Sequence, residues 1–161
     1  MKKISYLISS FILLILINGC AGYESIFSSN NLHFNISNFT IEGDKKLGNI
    51  IYSKLYNISK PKKNDQNIKN VDVYVKVTKE KQATSKDSAG KVLEYKITLK
   101  TEIKILDFTT EEKILDQIFS SSTSYKMQSQ YSDTVTLENK SIENLIDGTY
   151  QELLIRLSQI I

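Results

Sequence analysis

The chain has 161 residues, a length that suits one domain once a short leader is set aside, and its single cysteine, Cys20, rules out any intrachain disulfide. Its formal net charge of +3 falls to near neutrality without Lys2 and Lys3, so the body carries no global field of the kind that binds nucleic acid. Attraction to an anionic partner would have to come from a local patch.

Lys2 and Lys3 form a positive start, and 4–17 is apolar apart from a few serines and one tyrosine. This is the layout of a signal peptide over 1–19. An uncleaved membrane anchor would need roughly 20 apolar residues, and the block stops short of that at Asn18-Gly19. Ile17-Asn18-Gly19-Cys20 resembles the bacterial lipobox, in which a small residue precedes a cysteine that is acylated and becomes the new N-terminus. Each buried methylene of an acyl chain contributes about 0.8 kcal/mol and two chains already anchor stably, so a triacylated (palmitate-type) Cys20 would hold the domain on the membrane. Ala21 follows, not the aspartate associated with inner-membrane retention. The expected location is therefore the inner leaflet of the outer membrane, with 20–31 as a lipidated tether and 32–161 as the domain.

Leu32, Phe34 and Ile36 alternate with His33, Asn35 and Ser37, which predicts a first strand, and the phase shift near Ser37-Asn38 predicts a bulge or strand end. Gly43-Asp44 then opens a helix with Asp44 as its N-cap. Leu47, Ile50, Ile51, Leu55 and Ile58 make its apolar stripe, and the helix ends before Pro61. A basic, asparagine-rich loop runs to Asn70. Val71, Val73, Val75 and Val77 mark a second strand, followed by a Lys-rich turn around 85–90.

A long third strand places Leu93, Tyr95, Ile97, Leu99, Ile103 and Ile105 on one face. Glu94, Lys96, Thr98, Lys100, Glu102 and Lys104 lie on the other, so one side of the sheet should meet water or a polar partner. Asp107 to Glu112 supplies a hairpin turn. Lys113 to Tyr125 reads as a fourth strand whose poorer alternation suggests cover on both faces. Ile142, Leu145, Ile146, Leu153, Leu157 and Ile160 predict a closing helix that starts between Asp133 and Ser141, with Gly148 closely packed. The order β-α-β-β-β-α predicts an α+β two-layer sandwich: a mixed, mostly antiparallel sheet of about four strands with both helices on one face.

No catalytic constellation can be assembled. His33 is the only histidine, and with Cys20 acylated no thiol remains for nucleophilic catalysis or a Cys/His metal site. No G-x-S-x-G elbow, S-x-x-K motif or phosphate-cradling glycine loop occurs. The chain is expected to be a non-enzyme without metal or cofactor. Its one local charge feature comprises Lys76, Lys79, Lys81, Lys86 and Lys91, diluted by Glu80 and Asp87. Such a run is most simply a solvated turn with edge-protecting lysines, and alternatively a site for lipid phosphates.

From Cys20 onward the chain resembles the LPS-assembly lipoprotein (LptE-like) family. The resemblance rests on the lipobox with Gly22-Tyr23 after the cysteine, on the order of elements, and on the turn Thr84 to Gly90 running into Leu93-Glu94-Tyr95. The ending Tyr150 to Leu157 is also similar. It implies a plug and assembly partner seated in the lumen of the large LPS-assembly outer-membrane β-barrel protein (LptD-like), binding lipopolysaccharide. The lipopolysaccharide contacts it implies are Lys86 and Lys91 at the matching turn and Lys140 near the position before the last helix; Lys79 and Lys81 join them as candidates from the local charge. Ser88 stands closest to the family's basic hairpin position. The alternative is an accessory docking lipoprotein of another envelope lipid-transport or Tol-type complex.

Overall fold

The computed structural model describes residues 34–59 and 68–160. Cys20, the leader, the tether, Leu32, His33 and Pro61 lie outside the described residues.

The elements follow the order β1 (Phe34–Gly43), α1 (Lys45–Ile58), β2 (Lys69–Lys86), β3 (Val92–Asp107), β4 (Lys113–Lys126) and α2 (Tyr131–Ile160). They form one four-stranded sheet in the order β1-β2-β3-β4, with β1 parallel to β2 and the other pairs antiparallel. The mixed α+β architecture agrees with the expectation. Alternation decides the faces: Val71, Val73, Val75 and Val77 of β2 and Ile97, Leu99, Ile103 and Ile105 of β3 are buried beneath the helices. The intervening Tyr74, Lys76, Glu102 and Lys104 line the uncovered face, where Tyr74 Oη donates to Glu42 at 2.7 Å and Lys104 pairs with Glu102 at 2.7 Å.

The bulge anticipated near Ser37 is present. Ile36 pairs with Val71 but Asn38 pairs with Asp72, leaving Ser37 without an opposite number. Phe39 and Ile41 are thereby returned to the helix side, where Phe39 stacks on Tyr52 of α1 with ring centroids 4.0 Å apart. At the end of β1, Gly43 adopts φ +73° and turns the chain into α1. An added Cβ there would run into the Val77 carbonyl oxygen, which instead accepts the Asp44 N–H at 2.8 Å. Asp44 then caps α1 by accepting the Leu47 N–H at 3.1 Å, satisfying one of the helix's orphan donors. α1 buries Leu47, Gly48, Ile51 and Leu55 but leaves Ile50 exposed, because the stripe is wider than the strip of sheet beneath it.

Three expectations are corrected. β4 is covered on one face only: Leu115, Phe119 and Tyr125 are buried, whereas Ile118 is 52% exposed on the bare face, its apolar character being a single departure from the alternation. The closing helix begins at Tyr131, before the expected window, because Asp133 falls inside its first turn. Gly148 is not closely packed, since nothing lies within 4 Å of where its Cβ would be.

Candidate functional site: the hairpin end of the sheet

β2 outruns β1. The last β1–β2 pair is Gly43 with Val77, so from Thr78 to Lys86 β2 is flanked by β3 alone, while β4 follows β3 as far as Glu94 and Lys126. The result is a three-stranded finger projecting past the valine core. Because β2 and β3 are antiparallel, α1 and α2 both enter from this end. Their positively polarised N-termini point the same way as the finger, each with an aspartate (Asp44, Asp133) in place to cap or neutralise it.

The five candidate lysines do not form one patch. Lys86 and Lys91 flank the tip. There Asp87 organises the turn: its Oδ1 accepts the N–H groups of Ala89 at 3.0 Å and Lys91 at 2.9 Å, and Gly90 supplies the left-handed residue at φ +83°. Both tip lysines are exposed, and Ser88 sits between them at the apex. Lys76 faces the opposite, uncovered side of the sheet, 3.7 Å from Glu42 Oε2.

Lys79 and Lys81 share the parity of the buried valines and so emerge on the helix side. Lys79 borders a cleft of about 380 Å³ between the start of α1 and the middle of α2, together with Asp44, Lys46, Ile50, Glu143 and Asp147. One end of this cleft is closed by the Lys54–Asp147 ion pair at 2.9 Å. With acidic and basic groups interleaved on its walls, the cleft has no single sign of charge.

Lys81 is committed elsewhere. Its Nζ lies 2.6 Å from Glu138 Oε2 of α2 and 4.4 Å above the Tyr95 ring. Tyr125 Oη donates to the same Glu138 oxygen at 2.7 Å. Burial disfavours both charges. The Glu138 and Tyr125 contacts outweigh it and hold the Lys81 pKa above the ordinary lysine value, and the Lys81 and Tyr125 contacts hold Glu138 below its own. Burial pushes the Tyr125 hydroxyl up. Sequence patterning passed over this Lys81–Glu138–Tyr125–Tyr95 cluster. The signal that could have found it is the run of odd-numbered positions from Val71 to Lys81, which carries Lys81 onto the face where α2 packs.

Lys140 lies on α2 beside a shallow hollow of about 440 Å³ with Gln128, Asp133, Thr136 and Leu137. The geometry thus separates an exposed pair at the tip, a cleft lysine, a clamped lysine and a helix lysine. Among the described residues no group of three or more His, Cys, Asp or Glu side chains is placed to hold a metal, and no helix is long and apolar enough to cross a membrane.

No family model matches the sequence, and no curated protein matches it. Solved structures do resemble it. A candidate lipoprotein from Caulobacter crescentus superimposes with a TM-score of 0.57 at 9% identity, over 81% of this chain and 92% of that one. Uncharacterized lipoprotein B from Nitrosomonas europaea gives 0.56 at 12% identity, over 77% and 84%. A minor lipoprotein from Acinetobacter baumannii gives 0.53 at 14% identity, over 80% and 92%. At such identities the common property is the fold, which this chain shares with these three bacterial proteins over most of its length.

Proposed function

We propose that the chain is an outer-membrane lipoprotein of the lipopolysaccharide transport machinery, acylated at Cys20 and serving as plug and assembly partner of its large β-barrel. The observation that carries this reading is the bare face of the sheet. Among the described residues, β2, β3 and β4 present Tyr74, Lys76, Glu102, Lys104, Ser120, Ser122 and Ser124 on a face with no helix over it, a surface matched to a hydrophilic lumen. The likeness in fold to three bacterial lipoproteins and the lipobox at Cys20 support the same reading.

The role is one of contact and not of turnover. Lipopolysaccharide would meet the finger tip, where Lys86 and Lys91 stand exposed and can approach phosphates or acidic sugars as point charges. Lys81 takes no direct part, because Glu138 already holds it. Lys79 and Lys140 lie away from the tip and would serve at most as secondary contacts.

The test is affinity purification of the tagged, full-length protein from outer membranes. Recovery of a large β-barrel protein is expected. Recovery of a different envelope complex in its place would favour the accessory docking lipoprotein over the plug.

A further inference from the structure

α2 keeps one inward stripe along its length but changes the chemistry of that stripe partway. Thr134, Glu138 and Ser141 occupy it at the start, and Leu145, Leu153 and Leu157 continue it in the same helical phase. From Ile142 onward the inward side chains are part of the hydrophobic core. Before Ile142 the buried positions are Thr134 and Ser141, and Leu137 is only partly covered.

Polar contacts hold this first stretch, and two of them converge on one side chain. Glu138 Oε2 meets Lys81 Nζ at 2.6 Å and accepts from Tyr125 Oη at 2.7 Å. Thr134 Oγ1 accepts the Gln128 N–H at 2.9 Å, which fixes the entry into the helix. A hollow of about 440 Å³ beside Gln128, Asp133 and Leu137 shows that the flank of this stretch is not packed down.

The two parts of α2 therefore differ in what it costs to lift them. Hydrogen bonds given up at the start are replaced by hydrogen bonds to water, so their net contribution is small. Aliphatic side chains further along have no such replacement, because water disfavours their exposure.

We infer that residues 131–141 form a strap, latched by Glu138, that lifts from the projecting finger while the remainder of α2 stays docked on the sheet. Lifting sets free Lys81 together with the Tyr95 and Tyr125 rings, whose centroids lie 6.0 Å apart. In the closed chain Lys81 Nζ already stands 4.4 Å from the Tyr95 ring and 5.5 Å from the Tyr125 ring. Release of Glu138 thus turns an engaged cluster into an available cation set against two aromatic faces. The strap requires neither a second copy nor a partner, and the inference is independent of the barrel reading.

The test is native-state hydrogen exchange of the full-length chain in detergent micelles, read along α2 with urea added below the unfolding transition. Amides of 135–141 are expected to share one protection level, roughly tenfold or more below that of 149–157. They should respond weakly to urea, because lifting the strap exposes little surface, whereas exchange over 149–157 should accelerate steeply. Glu138→Gln should speed exchange over 135–141 several-fold. Leu157→Ala should speed it over 149–157 and leave 135–141 unchanged; the urea series needs no substitution and decides the matter if that variant does not fold. Protection that rises smoothly from Tyr131, as in ordinary fraying of a helix end, would overturn the inference. So would equal protection and equal urea dependence along all of α2, or a Glu138→Gln variant that exchanges like the unsubstituted protein.

Discussion

Lys81 Nζ lies 2.6 Å from Glu138 Oε2, joining a strand to a helix 57 positions away in the chain. The pair sits past the valine core, under Tyr95 and Tyr125, and ties the projecting finger down to α2. Tyr125 Oη, bonded to the same Glu138 oxygen at 2.7 Å, shares this tie.

This clamp gives stability a definite acid dependence. Burial opposes the Glu138 charge, but Lys81 and Tyr125 outweigh it and lower its pKa from the ordinary 4.5. A depressed carboxylate contributes fully above the unfolded value and loses that contribution as pH falls through the folded one. Melting temperature should therefore drop below about pH 4.5, and Glu138→Gln should flatten that limb. At neutral pH the substitution should cost about 1 kcal/mol, the partly exposed lysine being screened by solvent. An unchanged acid limb would mean that other carboxylates govern it.

Gly43 and Gly90 both have positive φ, but they should respond differently to alanine. At either, the left-handed backbone costs an L-residue roughly 1–2 kcal/mol. At Gly43 the new methyl also meets the Val77 carbonyl and displaces the Asp44 N–H bond; at Gly90 it meets nothing. Urea denaturation should show Gly43→Ala to be the more damaging by at least about 1 kcal/mol. Equal losses would contradict the described β1–α1 turn.

Thr101 occupies an inward position of β3 between Leu99 and Ile103, fully buried, with its hydroxyl unpaired. Thr101→Val removes that hydroxyl at nearly constant shape and should stabilise the fold by about 1 kcal/mol. A loss of stability in denaturant titration would indicate a partner for Oγ1 that this geometry lacks.

Gly148→Ala should also stabilise, by up to about 1 kcal/mol, since α2 carries the glycine in its interior and leaves open space around it. Thermal unfolding of the variant measures this directly.

Gly148 also shows where patterning stops being informative. A glycine inside a helical period signals either close packing or mere tolerance, and only a neighbour's position tells which. The strands were legible because a half-buried sheet imposes strict alternation: Val71 to Val77 and Ile97 to Ile105 lie where their parity puts them. The β1 bulge was legible for the same reason, as a break in phase at Ser37-Asn38. β4 was misjudged because adjacent apolar pairs, Ile114-Leu115 and Ile118-Phe119, imitate a strand covered twice, although Ile118 simply faces outward and Ile114, at the register shift beside Leu115, packs partly against the same core. The lysines were the least legible feature. Charge run along the sequence groups Lys76, Lys79, Lys81, Lys86 and Lys91, yet pleating sends Lys76 to one face and Lys81 to the other, and only tertiary packing brings Glu138 to Lys81.

The proposed outer-membrane role depends first on Cys20, where a leader would be cut and acyl chains would take its place. Intact-mass spectrometry of the protein purified from its own membranes tests this most directly. The expected species begins at Cys20 and carries the added mass of a triacylated cysteine. A chain that retains residues 1–19, or one beginning at Cys20 with an unmodified thiol, would contradict it.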